Sequence, residues 1–325
     1  MAKLIVEVCQ NHNGERAVLA EMIRAAAEAG ADIVKGQVIF SADLTRRERF
    51  EEGHIEPNGV RKAIRRPYGA ERERLAGLDL AADDYRFFVD TCHRAGVQPM
   101  LTVFTRRRIP FAAGLPWREK LAKVASYDCG SLPMLRELTQ AFDRLVVSTG
   151  ATFDDEIRQA AWVLRASGKP YALLHCVTSY PNALAITNLA RMVWLKQFAP
   201  EVGWSDHTLV SRDGIKAAKA AIALGADYVE RHFTILPAEA TKDGPVSITP
   251  ALLAELAAFN RLAQAEQMAV VEREIPEWPM MLGQAEREMT HTEMLNRDYY
   301  RGRFASPVGD DWVNNWEERP VVSAA

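Results

Sequence analysis

Residues 29–35 read AGADIVK, and residues 224–230 read LGADYVE. Each stretch opens where a helical pattern runs into glycine, the residue that most readily closes a helix in the left-handed conformation. Each then passes through Ala-Asp into an apolar or β-branched run that carries a charge, Lys35 in one and Glu230 in the other. Two equivalent helix-to-strand turns, far apart in one chain, point to a repeated strand–helix unit.

Outward from these two turns, eight short runs read as strands: LIVEVC, DIVKGQVI, QPMLTVF, LAKVAS, RLVVSTG, YALLHCV, EVGWSD and DYVERHF. Longer stretches with helical spacing separate most of them, such as RAVLAEMIRAAAEAG, DYRFFVDTCHRAG and TFDDEIRQAAWVLRASG, and TPALLAELAAFNRLAQAEQ follows the last. Several end in glycine and several start after Ser, Thr or Asp, as helix caps require. Eight such units predict an α/β fold of the (β/α)8 TIM-barrel class, for which about 250 residues suffice. The expected barrel spans residues 1–268. Residues 269–325, poor in aliphatic runs, are expected as a C-terminal extension packed on it.

Composition narrows the function. The chain has 325 residues, 48% of them hydrophobic and 26% charged, and a formal net charge of −3. That balance gives no global attraction to nucleic acid or to an anionic membrane. No run approaches the roughly 18 apolar residues needed to span a bilayer. Cys9, Cys92, Cys129 and Cys176 have no CxxC spacing, which points away from zinc knuckles and redox pairs. A cytoplasmic protein with reduced thiols is the expectation.

TIM-barrel sites lie at the C-terminal ends of the strands, and here those ends are polar. In chain order they offer Glu7 with Asn11; Lys35 and Gln37; Thr102 and Phe104; Lys123, Ser126 and Asp128; Ser148 and Thr149; His175, Thr178 and Tyr180; Ser205, Asp206 and His207; Glu230 and His232. Any one of them reads equally well as a hydrogen-bonded interior residue. Polar ends on all eight strands are hard to explain as packing. Lys35 and Lys123, with hydroxyls between and beside them, suit a small molecule carrying phosphate and carboxylate. His207 and His232 on adjacent strands are placed to share a divalent metal, with Glu230 and Glu7 as oxygen donors nearby. In VERHFTIL (229–236), Val229 and Phe233 should pack outside the barrel, and Arg231 should meet the surface or a helix.

QNHNGE, ADIVKGQ, KVAS-Y-D, VVSTGA, LLHCVTSYP, VGWSDHT and YVERHFT, in this order, resemble the sialic acid synthase (NeuB-type) family. The resemblance covers roughly Lys3 to Pro250. It implies a TIM-barrel synthase that condenses phosphoenolpyruvate with N-acetylmannosamine or a related aldose, as its partners in catalysis. It implies that Lys35, Thr102, Lys123, Ser126, Ser148 and Ser205 hold phosphoenolpyruvate, with Gln37, Phe104 and Thr178 lining the same pocket. By the same resemblance Glu7, Asp128 and Lys123 are catalytic, and Asn11 and Tyr180 face the acceptor. A divalent metal, Mn2+ or Mg2+, is implied on His207 and His232, with Glu230 near and Asp243 possible. A homodimer is a further implication.

The chain departs from the family in three places. KDGPVSI (242–248) stands where a GPD-type segment is common, so the aspartate precedes Gly-Pro instead of following it. No C-terminal antifreeze-like domain is expected after NRDYYRGRFAS (296–306). Arg106, Arg107 and Arg108 occupy a loop from which they are placed either to meet an acidic acceptor or to face solvent. The charged stretch 41–80 is too long for a simple connection and reads as an active-site lid. Two other readings stay open: a Schiff-base aldolase using Lys35 or Lys123, and a non-catalytic binding protein.

Overall fold

The computed structural model describes residues 1–321, so the last four residues of the expected extension lie outside the described residues. Eight parallel strands close into one barrel: β1 (Lys3–Glu7), β2 (Ile33–Val38), β3 (Gln98–Val103), β4 (Leu121–Val124), β5 (Arg144–Ser148), β6 (Tyr171–Cys176), β7 (Glu201–Asp206) and β8 (Tyr228–His232). Each pairs with its neighbours in sequence, and β1 closes on β8. Seven lie within the runs read from the sequence, and β1 starts one residue earlier, at Lys3.

Alternation along each strand divides its side chains between two environments. One set, including Val6, Val34, Val103, Val147, Val202 and Val229, packs against the surrounding helices in the main core. The other set points inward. Its lower layer is apolar and separate: Ile5, Ile33, Met100, Leu121, Val146, Ala172, Leu174 and Tyr228. Strand β7 contributes Gly203 to that layer because nothing larger fits. A Cβ at Gly203 would stand 2.2 Å from the Tyr228 carbonyl oxygen. One step higher the inward residues turn polar, which makes the top of the barrel a charged floor.

The helices follow the sequence pattern with two breaks. The stretch TPALLAELAAFNRLAQAEQ forms two helices, Pro250–Asn260 and Gln264–Glu274, so the boundary expected at residue 268 falls inside the second. SRDGIKAAKAAIALGA breaks at Gly214, where φ is +56°, into a single turn and the helix Lys216–Ala223. No helix among the described residues is long and apolar enough to cross a membrane.

Two segments rise above the strand ends. After β2 the chain makes a short helix (Arg49–Glu52), a small hairpin (His54–Ile55 with Arg61–Ala63) and the helix Tyr68–Ala76. From the other end of the chain come the helix His291–Tyr300 and a hairpin (Ser306–Val308 with Asp311–Val313). Polar ties bind this second segment to the barrel loops. Asn296 donates to the Thr178 carbonyl at 2.7 Å, and Asn315 donates to the Phe104 carbonyl and to Asp128, both at 2.9 Å. The two segments meet through Glu71, which pairs with Arg74 and Arg303. Arg47 reinforces the join, donating to the Arg301 carbonyl at 3.0 Å and lying over the Phe50 and Tyr299 rings.

Candidate functional site

The strand tops and the two covering segments enclose a cavity of about 1170 Å³. Its floor is set by register. Glu7 on β1 lies beside His232 of β8 on one side and Lys35 of β2 on the other. Thr102 is paired with Gln37 and with Lys123, and Ser205 with Cys176 and Glu230. Inward parity thus gathers two lysines, two glutamates and several hydroxyls from strands far apart in sequence.

The floor is a connected polar network. Lys35 contacts the Glu7 carboxylate directly, donates to Thr102 Oγ1 at 3.2 Å and lies 3.6 Å from Glu230. Lys123 donates to Ser148 Oγ at 2.7 Å and lies 3.5 Å from the other oxygen of Glu230. Ser205 donates to Glu230 at 2.9 Å. All these charged side chains are buried, so the charges survive only because they answer one another. Burial alone would raise the Glu230 carboxyl; Lys123 and then Lys35 overcome it and hold it down to about 2. Burial pushes the Lys35 ammonium down to about 7, partly offset by Glu230. The touching Glu7 carboxylate, and any anion bound above it, work to keep Lys35 protonated. Glu230 Oε2 accepts no hydrogen bond among the described residues, which leaves part of the network open for a ligand.

A second group lies on the β1–β8 side. Cys9, His232 and Asp243 bring one donor atom each within 4.8 Å of one another, the spacing of a metal site. Cys9 Sγ stands 3.4 Å from Asp243 Oδ2. His232 Nδ1 is buried with no hydrogen-bond partner among the described residues, which suits a ligating nitrogen. Burial pushes both His232 and His207 below their usual range, so both stay neutral, the form that binds metal. The residues therefore fit a divalent ion. His207, the other expected ligand, stands beside this group: its ring is 5.2 Å from the His232 ring, its Nδ1 is 3.7 Å from Cys176 Sγ, and Tyr180 covers it at 4.0 Å. A thiol in the donor set favours softer ions and disfavours Mg2+.

KDGPVSI reaches the site because of its glycine. A Cβ at Gly244 would stand 1.9 Å from the Ala238 carbonyl oxygen, so only glycine allows this turn. The turn returns Asp243 to Cys9 and His232, and an aspartate before Gly-Pro reaches the site.

Several expectations require correction. Asp128 is buried beside the cavity and does not line it. Its carboxylate accepts from Asn315 at 2.9 Å and Ser131 at 3.3 Å, and burial lifts it to about 6. Asn11 is a structural tie, donating to the Phe233 carbonyl and to Ser247. Thr178 is buried behind the cavity wall, with its carbonyl held by Asn296. His175 points outward, bonded to the Thr187 carbonyl at 2.7 Å, and Cys176 takes the inward place. Arg231 also points outward but is buried, paired with Asp206 at 2.5 Å and Thr208 at 2.8 Å; it does not reach the surface. Arg106 is tied to Glu137 at 2.9 Å, and Arg108 to Asp43 at 2.7 and 2.8 Å, so neither faces the cavity.

The cavity also holds residues that sequence reading missed. Cys176 lines it, and Cys9 stands behind it against Asp243; neither carried a spacing signal. Arg61, Arg66, Arg74, Lys242 and Arg303 line the mouth from three distant segments. The charge of the 41–80 stretch was the one visible sign of them.

The NeuB family profile matches residues 22–271. An N,N'-diacetyllegionaminic acid synthase from Legionella pneumophila is 31% identical over 242 residues, which are 71% of this chain and 64% of that one. The N-acetylneuraminate-9-phosphate synthase of Homo sapiens is 27% identical over 270 residues, 80% of this chain and 70% of that one. The chain thus spans about two thirds of the length of these relatives. Among solved structures, the spore coat polysaccharide biosynthesis protein SpsE of Bacillus subtilis superposes with a TM-score of 0.70 at 25% identity, covering 92% of this chain and 77% of that one. An N-acetylneuraminic acid synthetase from Leptospira borgpetersenii, in complex with citrate, superposes with a TM-score of 0.67 at 22% identity, covering 92% and 90%.

Proposed function

The chain belongs to the NeuB family, and from that premise we propose that it condenses phosphoenolpyruvate with an aldose-type aldehyde to give a 2-keto-3-deoxy acid and phosphate. The observation that carries this reading is the floor. Two buried lysines on alternate strands, with Thr102, Ser148 and Ser205 around them, line one cavity with His232 and Asp243. Such a floor matches a compact molecule with two anionic groups, and the opposite wall matches an aldehyde oxygen.

Each residue then has a chemical task. Lys35 and Lys123 hold the phosphate and carboxylate, and the hydroxyls of Ser126, Ser148 and Ser205 orient them. Gln37 and Phe104 close the wall above. Glu230, held down to about 2, stays ionised and fixes both ammonium groups in place. A divalent ion, when bound at His207 and His232 with Cys9 and Asp243 beside them, supplies Lewis acidity to the aldehyde oxygen. Carbon 3 of the enol ester forms the new bond to the aldehyde carbon, whose oxygen gains a proton. Water adds at carbon 2, and Glu7, the carboxylate at the floor with Asp128 set aside, takes the proton it loses. The carbon–oxygen bond to phosphate then breaks, phosphate leaving with the bridging oxygen and the electron pair, and it takes up the proton of the carbon 2 hydroxyl, which leaves the ketone.

One observation favours a second reading. A lysine pushed down to about 7 is the kind that forms a Schiff base. The Glu7 contact and the hydroxyl ring weigh against it, because both favour the charged ammonium. A single experiment separates the two: incubation with phosphoenolpyruvate, Mn2+ and a panel of aldoses, with borohydride trapping in parallel. The synthase reading expects phosphate release that needs both metal and aldose, and no trapped adduct. A borohydride-trapped keto-acid adduct at Lys35 would overturn it, and so would phosphoenolpyruvate binding without release on any aldose.

A further inference from the structure

The mouth of the cavity carries more positive charge than its own carboxylates answer. Arg66, Arg74, Lys242 and Arg303 line it, and Arg74 and Arg303 both pair with one buried carboxylate, Glu71. Arg74 grips it with two nitrogens, at 3.0 and 3.1 Å, and Arg303 contacts it as well. That carboxylate is fully used by these two. Arg66 and Lys242 meet no carboxylate within 4.0 Å among the described residues, nor does Arg61 on the hairpin above them. Arg65 has only a loose, exposed pairing with Glu52 at 3.6 Å.

Like charges gathered at a cavity mouth repel, and the arrangement stands at a cost unless an anion joins them. The floor does not need them, since Lys35 and Lys123 are already balanced there by Glu7 and Glu230. We propose that Arg66 and Lys242, with Arg61 above them, form a second anion site that takes a phosphate or carboxylate on the far end of the acceptor. This rests on the synthase reading for the word acceptor. If the aldehyde lies against Cys9, His232 and Asp243, the distal end of an aldose points outward, toward the hairpin and Arg303. The acceptor class is then an anionic aldose, a sugar phosphate or a uronate, not a neutral sugar. Guanidinium groups suit either anion by paired hydrogen bonds.

Calorimetric titration of the metal-loaded protein tests this without turnover, using mannose, mannose 6-phosphate and mannuronate, each with and without saturating phosphoenolpyruvate. At least one anionic sugar should bind about tenfold or more tighter than mannose, from one added charge-assisted contact. It should do so equally with phosphoenolpyruvate present, and the better of the two identifies phosphate or carboxylate. In Arg61→Gln/Arg66→Gln, and separately in Lys242→Gln, the preference should shrink toward the affinity of mannose. Thermal melting of each variant at the wild-type temperature shows that it is folded. Equal binding of all three sugars, loss of binding when phosphoenolpyruvate is added, or full retention in both variants would overturn the site. Should no aldose release phosphate from phosphoenolpyruvate, the synthase reading fails while this titration still decides the anion site.

Discussion

Lys123 touches Ser148 at 2.7 Å, lies 3.5 Å from Glu230, and stands inside the barrel where water cannot replace a lost partner. Lys123→Met keeps the length and removes the charge. Its Michaelis constant for phosphoenolpyruvate should rise about 10- to 100-fold, the worth of a hydrogen bond to a charged group. Glu230 would retain Lys35 and Ser205, so the melting temperature should change far less than the constant. An unchanged constant would move the anion site away from the floor. At this scale the sequence was readable wherever strand parity decides. Lys35, Thr102, Lys123, Ser148, Ser205, Glu230 and His232 are all inward residues at strand tops, and period-two alternation puts them there. It failed one position past that rule. His175 and Cys176 differ by one residue and so face opposite ways, and the more eye-catching histidine is the one that faces out. Asp128 and Asn11 sit in loops, where no period fixes direction.

Elements are joined above the barrel by Glu71. It belongs to the helix Tyr68–Ala76 and holds Arg303 from just after the helix His291–Tyr300, so one carboxylate ties the two covering segments together. Burial works to raise its pKa; Arg74 and then Arg303 lower it from 4.5 to about 2. A depressed carboxyl contributes stability above its unfolded value, and that share is lost as pH falls from about 4.5 toward 2. Glu71→Ala should cost roughly 3–5 kcal/mol in urea unfolding, the usual effect of removing one partner from a buried ion pair. Hydrogen exchange should quicken in residues 68–76 and 291–303 together. Faster exchange in only one of the two would mean that they do not act as one cover. None of this was legible beforehand, because Glu71, Arg74 and Arg303 show only as surface-type charges in the chain. Two segments separated by the whole barrel give no local sign that they meet.

For the whole molecule, the barrel was legible and its cover was not. The eight strands were readable because each is a short apolar run set off by turns, and the two Gly-Ala-Asp turns give the repeat away. The stretch 41–80 and the C-terminal segment were read separately, as a lid and as a packed extension; folding makes them one rim around a cavity of about 1170 Å³. On the proposed reading the rim's cations and the floor's lysines act as two anion-binding layers, with His232 and Asp243 lining the same cavity. The central claim is that this floor activates phosphoenolpyruvate at carbon, not at phosphorus. Phosphoenolpyruvate labelled with oxygen-18 in the carbon–oxygen–phosphorus bridge tests it most directly, with the divalent metal and an accepted aldose present. Water adding at carbon 2 predicts that all the bridge label leaves in the phosphate and that the ketone oxygen comes from solvent. Bridge label retained in the ketone would mean hydrolysis at phosphorus and would contradict the account.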